Sequence, residues 1–67
     1  MRDEIGNAAG VVWEFLNQQG ETVLVTLKDR TGLSEGILFM ALGWLAREEK
    51  VNLLKEGRTI RISLTNP

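Results

Sequence analysis

The segment from Gly36 to Ala46 constrains the fold of this chain most, because it contains no charged side chain. Ser34 precedes it as a helix-capping residue, and apolar side chains occupy nearly every side of the predicted helix. Helices that are apolar almost all round are normally buried on more than one side. A chain of 67 residues offers few partners for such burial. This helix therefore needs either a central place in the core or a partner outside the chain.

The composition excludes several kinds of chemistry. The chain contains no cysteine, so neither a disulfide nor a thiolate metal site can form. It also contains no histidine or tyrosine, which removes common general bases and nucleophiles, and histidine is a frequent metal ligand as well. No glycine-rich loop precedes a Lys-Ser or Lys-Thr pair. We therefore expect no enzyme activity, no cofactor and no bound metal.

Length and hydropathy indicate one domain over residues 1–67, with no linker or repeat. The longest apolar run, ILFMAL, is far shorter than the roughly 20 residues that cross a bilayer. The N-terminal MRDEIG lacks the basic and then apolar pattern of a signal peptide, so we expect a cytoplasmic location. The net charge is −1 and the pI about 5.3, but residues 25–67 carry seven basic side chains against five acidic ones.

Apolar periodicity predicts a helix over residues 3–18, with Gly20 just beyond its end. Residues 21–25 are rich in β-branched side chains and predict a strand. Thr26 then fits the cap of a short helix, with Asp29 three residues later as in a capping box. Gly32 predicts a turn, and Ser34 caps the next helix. A short helix, a turn and a longer helix form a helix-turn-helix pattern.

The C-terminal part predicts a β-hairpin. The segments VNLLK and RTIRISL flank Glu56 and Gly57, a plausible two-residue turn. A register that pairs Lys55 with Arg58 places Leu53 opposite Ile60 and Val51 opposite Ile62, with these apolar residues on one face. The agreement between turn and alternation supports a hairpin.

These elements follow the order of a winged helix-turn-helix domain, an α+β fold with three helices, a short strand after the first helix and a two-stranded hairpin, the wing. The chain resembles a family of very small, poorly characterised winged-helix proteins from bacteria and archaea. The resemblance rests on IGNAAGVVWEFL, LKDRTGLSE and above all ALGWLAREEKV, and it spans nearly the whole chain. It implies a winged-helix fold and is compatible with a homodimer, but it implies no settled activity.

The helix from Ser34 has two apolar faces at 100° per residue. The natural core face consists of Ile37, Leu38, Ala41, Leu42, Trp44 and Leu45. The opposite face holds small and large apolar residues and, toward its C-terminal end, a basic residue: Gly36, Phe39, Met40, Gly43 and Arg47, followed by Lys50. We also expect Trp13 and Trp44 in the core, although exposed tryptophans could act as binding hot spots.

Three interpretations compete for this second face. Phe39 and Met40 could complete the core, or the face could associate with a second copy, where the glycines would let two helices approach closely. The third interpretation is insertion into a DNA groove. It is the weakest, because base edges are read mainly by polar and charged side chains, and this face offers almost none.

Contacts to the DNA backbone would instead come from the wing and the short helix. The candidate residues are Lys28, Arg30, Ser34, Lys55, Arg58 and Arg61. The alternative is that the charges of the hairpin keep it solvated and guard its edge.

We therefore expect a small homodimeric winged-helix protein of DNA-binding type, with weak and non-specific backbone contacts. The alternative is a protein–protein interaction module whose long helix forms an apolar interface with a twin or another protein. The expected partners are a second copy, duplex DNA or another protein, and neither a membrane nor a small-molecule substrate is indicated.

Overall fold

A computed structural model of the chain describes residues 2–65. Residues 1, 66 and 67, which the predicted domain includes, lie outside the described residues. The elements, in chain order, are α1 (Arg2–Gln19), β1 (Thr22–Val23), α2 (Leu24–Thr31), α3 (Glu35–Arg47), β2 (Val51–Glu56) and β3 (Thr59–Leu64). The predicted α+β winged helix-turn-helix fold is confirmed, with α2 and α3 as the helix-turn-helix and β2–β3 as the wing.

The three strands form one antiparallel sheet in the order β1-β3-β2. β1 adds to the free edge of the hairpin, with Thr22 opposite Ile62 and Val23 opposite Arg61. Because β1 runs directly into α2, this pairing ties the start of the helix-turn-helix to the wing.

The core lies between α1, α3 and the inner face of the sheet. Its buried residues are apolar: Ala8, Ala9, Val12, Leu16, Leu27, Leu38, Ala41, Leu42, Leu45, Val51 and Ile62. None of the described polar or charged residues is buried. Within residues 2–65, every helix falls short of the length and apolarity that crossing a membrane requires.

Two of the predicted helix boundaries are confirmed at the turn between α2 and α3. Gly32 adopts a left-handed conformation (φ 71°), and its N–H donates to the carbonyl of Lys28 at 3.0 Å. Ser34 caps α3 because its Oγ accepts from the N–H of Ile37 at 3.3 Å. These two short-range signals shape the turn of the helix-turn-helix.

The predicted start of α2 is wrong. The strand covers only Thr22 and Val23, and the helix begins at Leu24, so Thr26 lies within its first turn and caps nothing. Val23 takes the cap position without a side-chain hydrogen bond. The earlier start places Leu24 and Leu27 one turn apart, where Leu27 is fully buried and Leu24 packs against the core. The free energy gained by packing these leucines into the core outweighs the hydrogen bonds of the predicted capping box.

The predicted hairpin register is wrong by two residues, although its faces are right. Glu56 pairs with Thr59, and the turn consists of Gly57 and Arg58. Leu53 consequently lies opposite Ile62. Gly57 has φ 61°, as the first central residue of a type II′ turn requires. The predicted turn would have put Glu56 at that position, where a residue with a Cβ is disfavoured.

The prediction that Trp13 and Trp44 belong to the core is also wrong. Their exposed fractions are 37% and 43%. The interior stripe of α3 consists of smaller residues, including the fully buried Ala41. Alanines on both α1 and α3 are buried in the core between the helices, which leaves the larger indoles at its edge.

We predict that Leu38→Ala lowers the free energy of unfolding by about 2–5 kcal/mol, because it leaves a cavity at a fully buried position. The matched control is Leu54→Ala, since Leu54 is 54% exposed, and its effect should stay within about 0.5 kcal/mol. Urea denaturation followed by circular dichroism measures both. Equal losses for the two variants would contradict the core assignment.

Candidate functional site

The outward side of α3 is an apolar surface, which we call the α3 face: Gly36, Phe39, Met40, Gly43, Trp44 and Arg47. All six residues are exposed, with 47% of Phe39 and 46% of Met40 accessible. The five residues predicted for an interface all belong to this face. The interpretation that Phe39 and Met40 complete the core is therefore wrong for the single chain. The core stripe is filled by Leu38, Leu42 and Leu45 on the other side.

The glycines of the α3 face have no packing role within the described chain. A Cβ placed on Gly36 or Gly43 would meet no atom within 4 Å. Glycine inside a helix costs roughly 1 kcal/mol relative to alanine. Packing within the chain thus does not explain these glycines.

The α3 face lacks the groups that read base edges. The indole N–H of Trp44 is the only side-chain N–H or O–H donor between Gly36 and Ala46. Ser34, a predicted DNA-binding residue, uses its hydroxyl oxygen to cap the helix. Glu35 carries a negative charge at the end of the helix that would enter a groove, and its carboxylate lies 4.0 Å from Lys28 Nζ. Sequence-specific readout by α3 therefore has no chemical basis in these residues.

Arg61 does not join the other basic residues of the wing. Its Nε donates to Glu56 Oε1 at 2.9 Å, and its Nη1 lies 3.4 Å from Glu21 Oε1. The hydrogen bond to Glu56, helped by the charges of both carboxylates, raises the pKa of Arg61. The guanidinium group stays protonated, and the carboxylates of Glu56 and Glu21 compensate its positive charge. The strand register also places Lys55 and Arg61 on opposite faces of the hairpin.

Two of the predicted basic residues do meet. Lys28 from α2 and Arg58 from the turn of the wing line one cleft of about 240 Å³ beside the start of α3. Glu35 and Phe39 line the same cleft, so it carries two cations, one acid and an apolar wall. Arg58 has no ion pair within the described chain, and the Lys28–Glu35 pair is exposed and long. Exposed pairs of this kind contribute little to stability.

Arg30 lies apart from this cleft. It borders a depression between α1 and α2 together with residues such as Asn7 and Glu14. The structure thus brings Lys28 and Arg58 together, whereas Arg30 lies on another surface. Lys55 and Arg61 lie on opposite faces of the hairpin, and neither lines the cleft.

The structure also has a groove between α1 and α3, which the sequence did not predict. It has a volume of about 330 Å³ and is flanked by Trp13 and Trp44, with Gly6 and Gly10 at its side. Lys50 lines the groove as well. Gly6 and Gly10, one turn apart on α1, were the feature of the sequence that could have indicated this groove. The groove was not predicted because both indoles were expected to be buried in the core. Through Trp44 it is continuous with the α3 face.

No cluster of potential metal ligands occurs among the residues that the structure describes.

Comparisons with known proteins identify the family. A family model described as a winged helix-turn-helix domain (DUF2582) matches residues 1–64. An uncharacterized protein from Methanocaldococcus jannaschii is 36% identical over an alignment of 67 positions, which covers 96% of this chain and 94% of that protein. No solved structure matches the chain. The chain belongs to the family of winged helix-turn-helix domains (DUF2582).

Proposed function

We propose that this protein is a winged-helix interaction module that forms a homodimer through the α3 face. The observation that carries the proposal is the exposure of Phe39 and Met40 beside Gly43 on the helix that a DNA-binding winged-helix domain would present to a groove. Reading a DNA groove requires polar side chains, and the α3 face is apolar. Such a face is better suited to contact with another protein surface than to contact with DNA. The proposed role is non-catalytic and cytoplasmic.

The energetics of burial support a protein partner. Full burial of a phenylalanine or methionine side chain contributes about 1.5–3 kcal/mol. About half of Phe39 and of Met40 is still exposed in the single chain, so covering them would recover roughly half of that range for each. In a symmetric dimer each contribution counts twice, because the same patch is used by both subunits. Small domains also gain stability from such oligomerisation.

A second candidate function is weak, sequence-independent binding to duplex DNA. The observation that favours it is the convergence of Lys28 and Arg58 on one cleft beside α3. Ser34 and Lys55 would add contacts from the helix-turn-helix and the wing, whereas Arg30 lies on another surface. The positive charge of Arg61 is already compensated by two carboxylates. Such contacts neutralise phosphates, so the affinity would fall steeply with salt.

We predict that Phe39→Glu weakens the dimer by on the order of a hundredfold, because the interface would have to bury a carboxylate. The fold should persist, since Phe39 lies outside the buried core. Sedimentation equilibrium measures the association, and circular dichroism checks the fold.

Leu54→Glu is the matched control, because Leu54 is similarly exposed but lies on the hairpin. It should leave the dimer intact. A wild-type protein that stays monomeric at millimolar concentration would contradict self-association, as would a Phe39→Glu variant that dimerises normally.

For the second candidate, we predict that the double variant Lys28→Ala, Arg58→Ala binds duplex DNA more weakly at low salt. The slope of log affinity against log salt should become shallower by about 2, roughly 0.9 for each lost phosphate contact. Titration of a labelled duplex at several salt concentrations measures both quantities. Arg61→Ala serves as the control and should have a smaller effect. Absence of binding at low salt, or equal losses in both variants, would rule this candidate out.

A further inference from the structure

We propose that the cleft between α2, the start of α3 and the turn of the wing binds a small organic carboxylate with an apolar body. This is the cleft that Lys28, Arg58, Glu35 and Phe39 line, and we call it the wing cleft. The proposal goes beyond both dimerisation and DNA contact, and it concerns a site within a single subunit.

The wing cleft has the mixed lining of a small-molecule site. Five of its nine lining residues are apolar: Leu24, Val25, Leu38, Phe39 and Ile60. Leu38 belongs to the buried core, whereas Val25 and Phe39 keep 70% and 47% of their surface exposed. The apolar body of a ligand in the cleft would cover part of these two side chains. Ligand sites typically combine such apolar walls with a few polar groups that fix the orientation of the ligand.

Two cations from different elements line the wing cleft. Lys28 lies in the last turn of α2, and Arg58 lies in the hairpin turn just before β3. Because α2 packs against β3, these two residues reach one cleft although they are far apart in the sequence. Arg58 has no ion pair within the described chain, and Lys28 has only the exposed 4.0 Å contact with Glu35. Both charges are therefore available to a carboxylate, and a guanidinium can donate to both of its oxygens.

Glu35 limits the negative charge that the ligand can carry. Its carboxylate lines the wing cleft beside Lys28, so two cations and one acid give the cleft a net charge of +1. A doubly charged phosphate, or a row of DNA phosphates, would be repelled more strongly by Glu35 than a single carboxylate would be. The charges and the apolar walls together thus favour a monoanion on an apolar body.

The size of the wing cleft sets the size of the ligand. Its volume of about 240 Å³ is below the roughly 300–1,000 Å³ of sites for drug-sized ligands. A single ring with a short acidic arm is therefore of suitable size. Phenylacetate is the probe that we choose, and acetate, phenylacetamide and inorganic phosphate are its matched comparisons.

Titration of the full chain, followed by the NMR shifts of the backbone amides of Lys28, Phe39 and Arg58, measures the binding of each probe. Phenylacetate should bind with a dissociation constant on the order of a millimolar, as expected for so small a ligand. Phenylacetamide lacks the charge and acetate lacks the ring, so each should bind roughly tenfold more weakly. Inorganic phosphate should also bind more weakly than phenylacetate, because of its second charge.

Three variants test the roles of the charged residues. Arg58→Gln should weaken the binding of phenylacetate roughly tenfold, because it removes the charge-assisted hydrogen bonds. Glu35→Gln should strengthen it about threefold, because it removes a like charge and frees Lys28. A variant that merely damaged the fold would not bind more tightly. Arg30→Gln is the matched control, since Arg30 is an exposed cation on α2 outside the cleft, and it should leave the affinity unchanged.

Selectivity for phenylacetate, with opposite effects of Arg58→Gln and Glu35→Gln, supports the proposal. Equal binding of phenylacetate and phenylacetamide would overturn it and leave only an apolar surface. Phosphate that binds as tightly as phenylacetate would also overturn it and assign the cleft to phosphate groups such as those of DNA. Absence of any shift at tens of millimolar phenylacetate overturns the proposal as well. Sedimentation tests the dimer separately, so none of these outcomes decides self-association.

Discussion

The packing of α1 against α3 is the contact on which the rest of this structure depends. It buries the smaller apolar residues of α3, including Ala41, Leu42 and Leu45, against the alanines of α1 and the residues Val12 and Leu16. With no disulfide available, this core supplies most of the stability of a very small domain. Because one stripe of α3 is used for the core, the opposite stripe must face outward, and that stripe is also apolar.

This outward stripe separates the chain from a typical DNA-reading winged helix. The scaffold presents α3 where a groove-reading helix would stand, yet the exposed residues are Phe39, Met40 and glycines. The acidic groups reinforce the difference, since Glu35 lies at the start of the helix and Glu56 and Glu21 engage Arg61. An apolar, nearly uncharged face is better suited to another protein surface than to a polyanion.

The two proposed functions share the cleft that Lys28 and Arg58 line, because Phe39 forms part of its wall. A dimer through the α3 face would cover Phe39 and prevent α3 from entering a groove. DNA contact in such a dimer would fall to Arg30, which borders a depression between α1 and α2 away from this cleft. The glycines of α3 cost helix stability and serve no packing purpose within the described chain.

The sequence by itself determined the features that depend on neighbouring residues or on strong periodicity. Local chemistry determines the order of the winged helix-turn-helix elements, the turn at Gly32, the cap at Ser34 and the alternation of faces in the hairpin. Each of these can be predicted from residues that are close together in the sequence.

Tertiary structure decided the rest. Helix α2 begins earlier than predicted because this start allows Leu24 and Leu27 to pack into the core. The hairpin register differs from the predicted one because the first turn position requires a positive φ, which Gly57 adopts. The tightly packed core between α1 and α3 leaves both indoles at its edge. The structure also shows that Lys28 and Arg58 line the same cleft and that Arg61 forms ion pairs with two carboxylates. These outcomes depend on which distant residues share a space, and residue order does not contain that information.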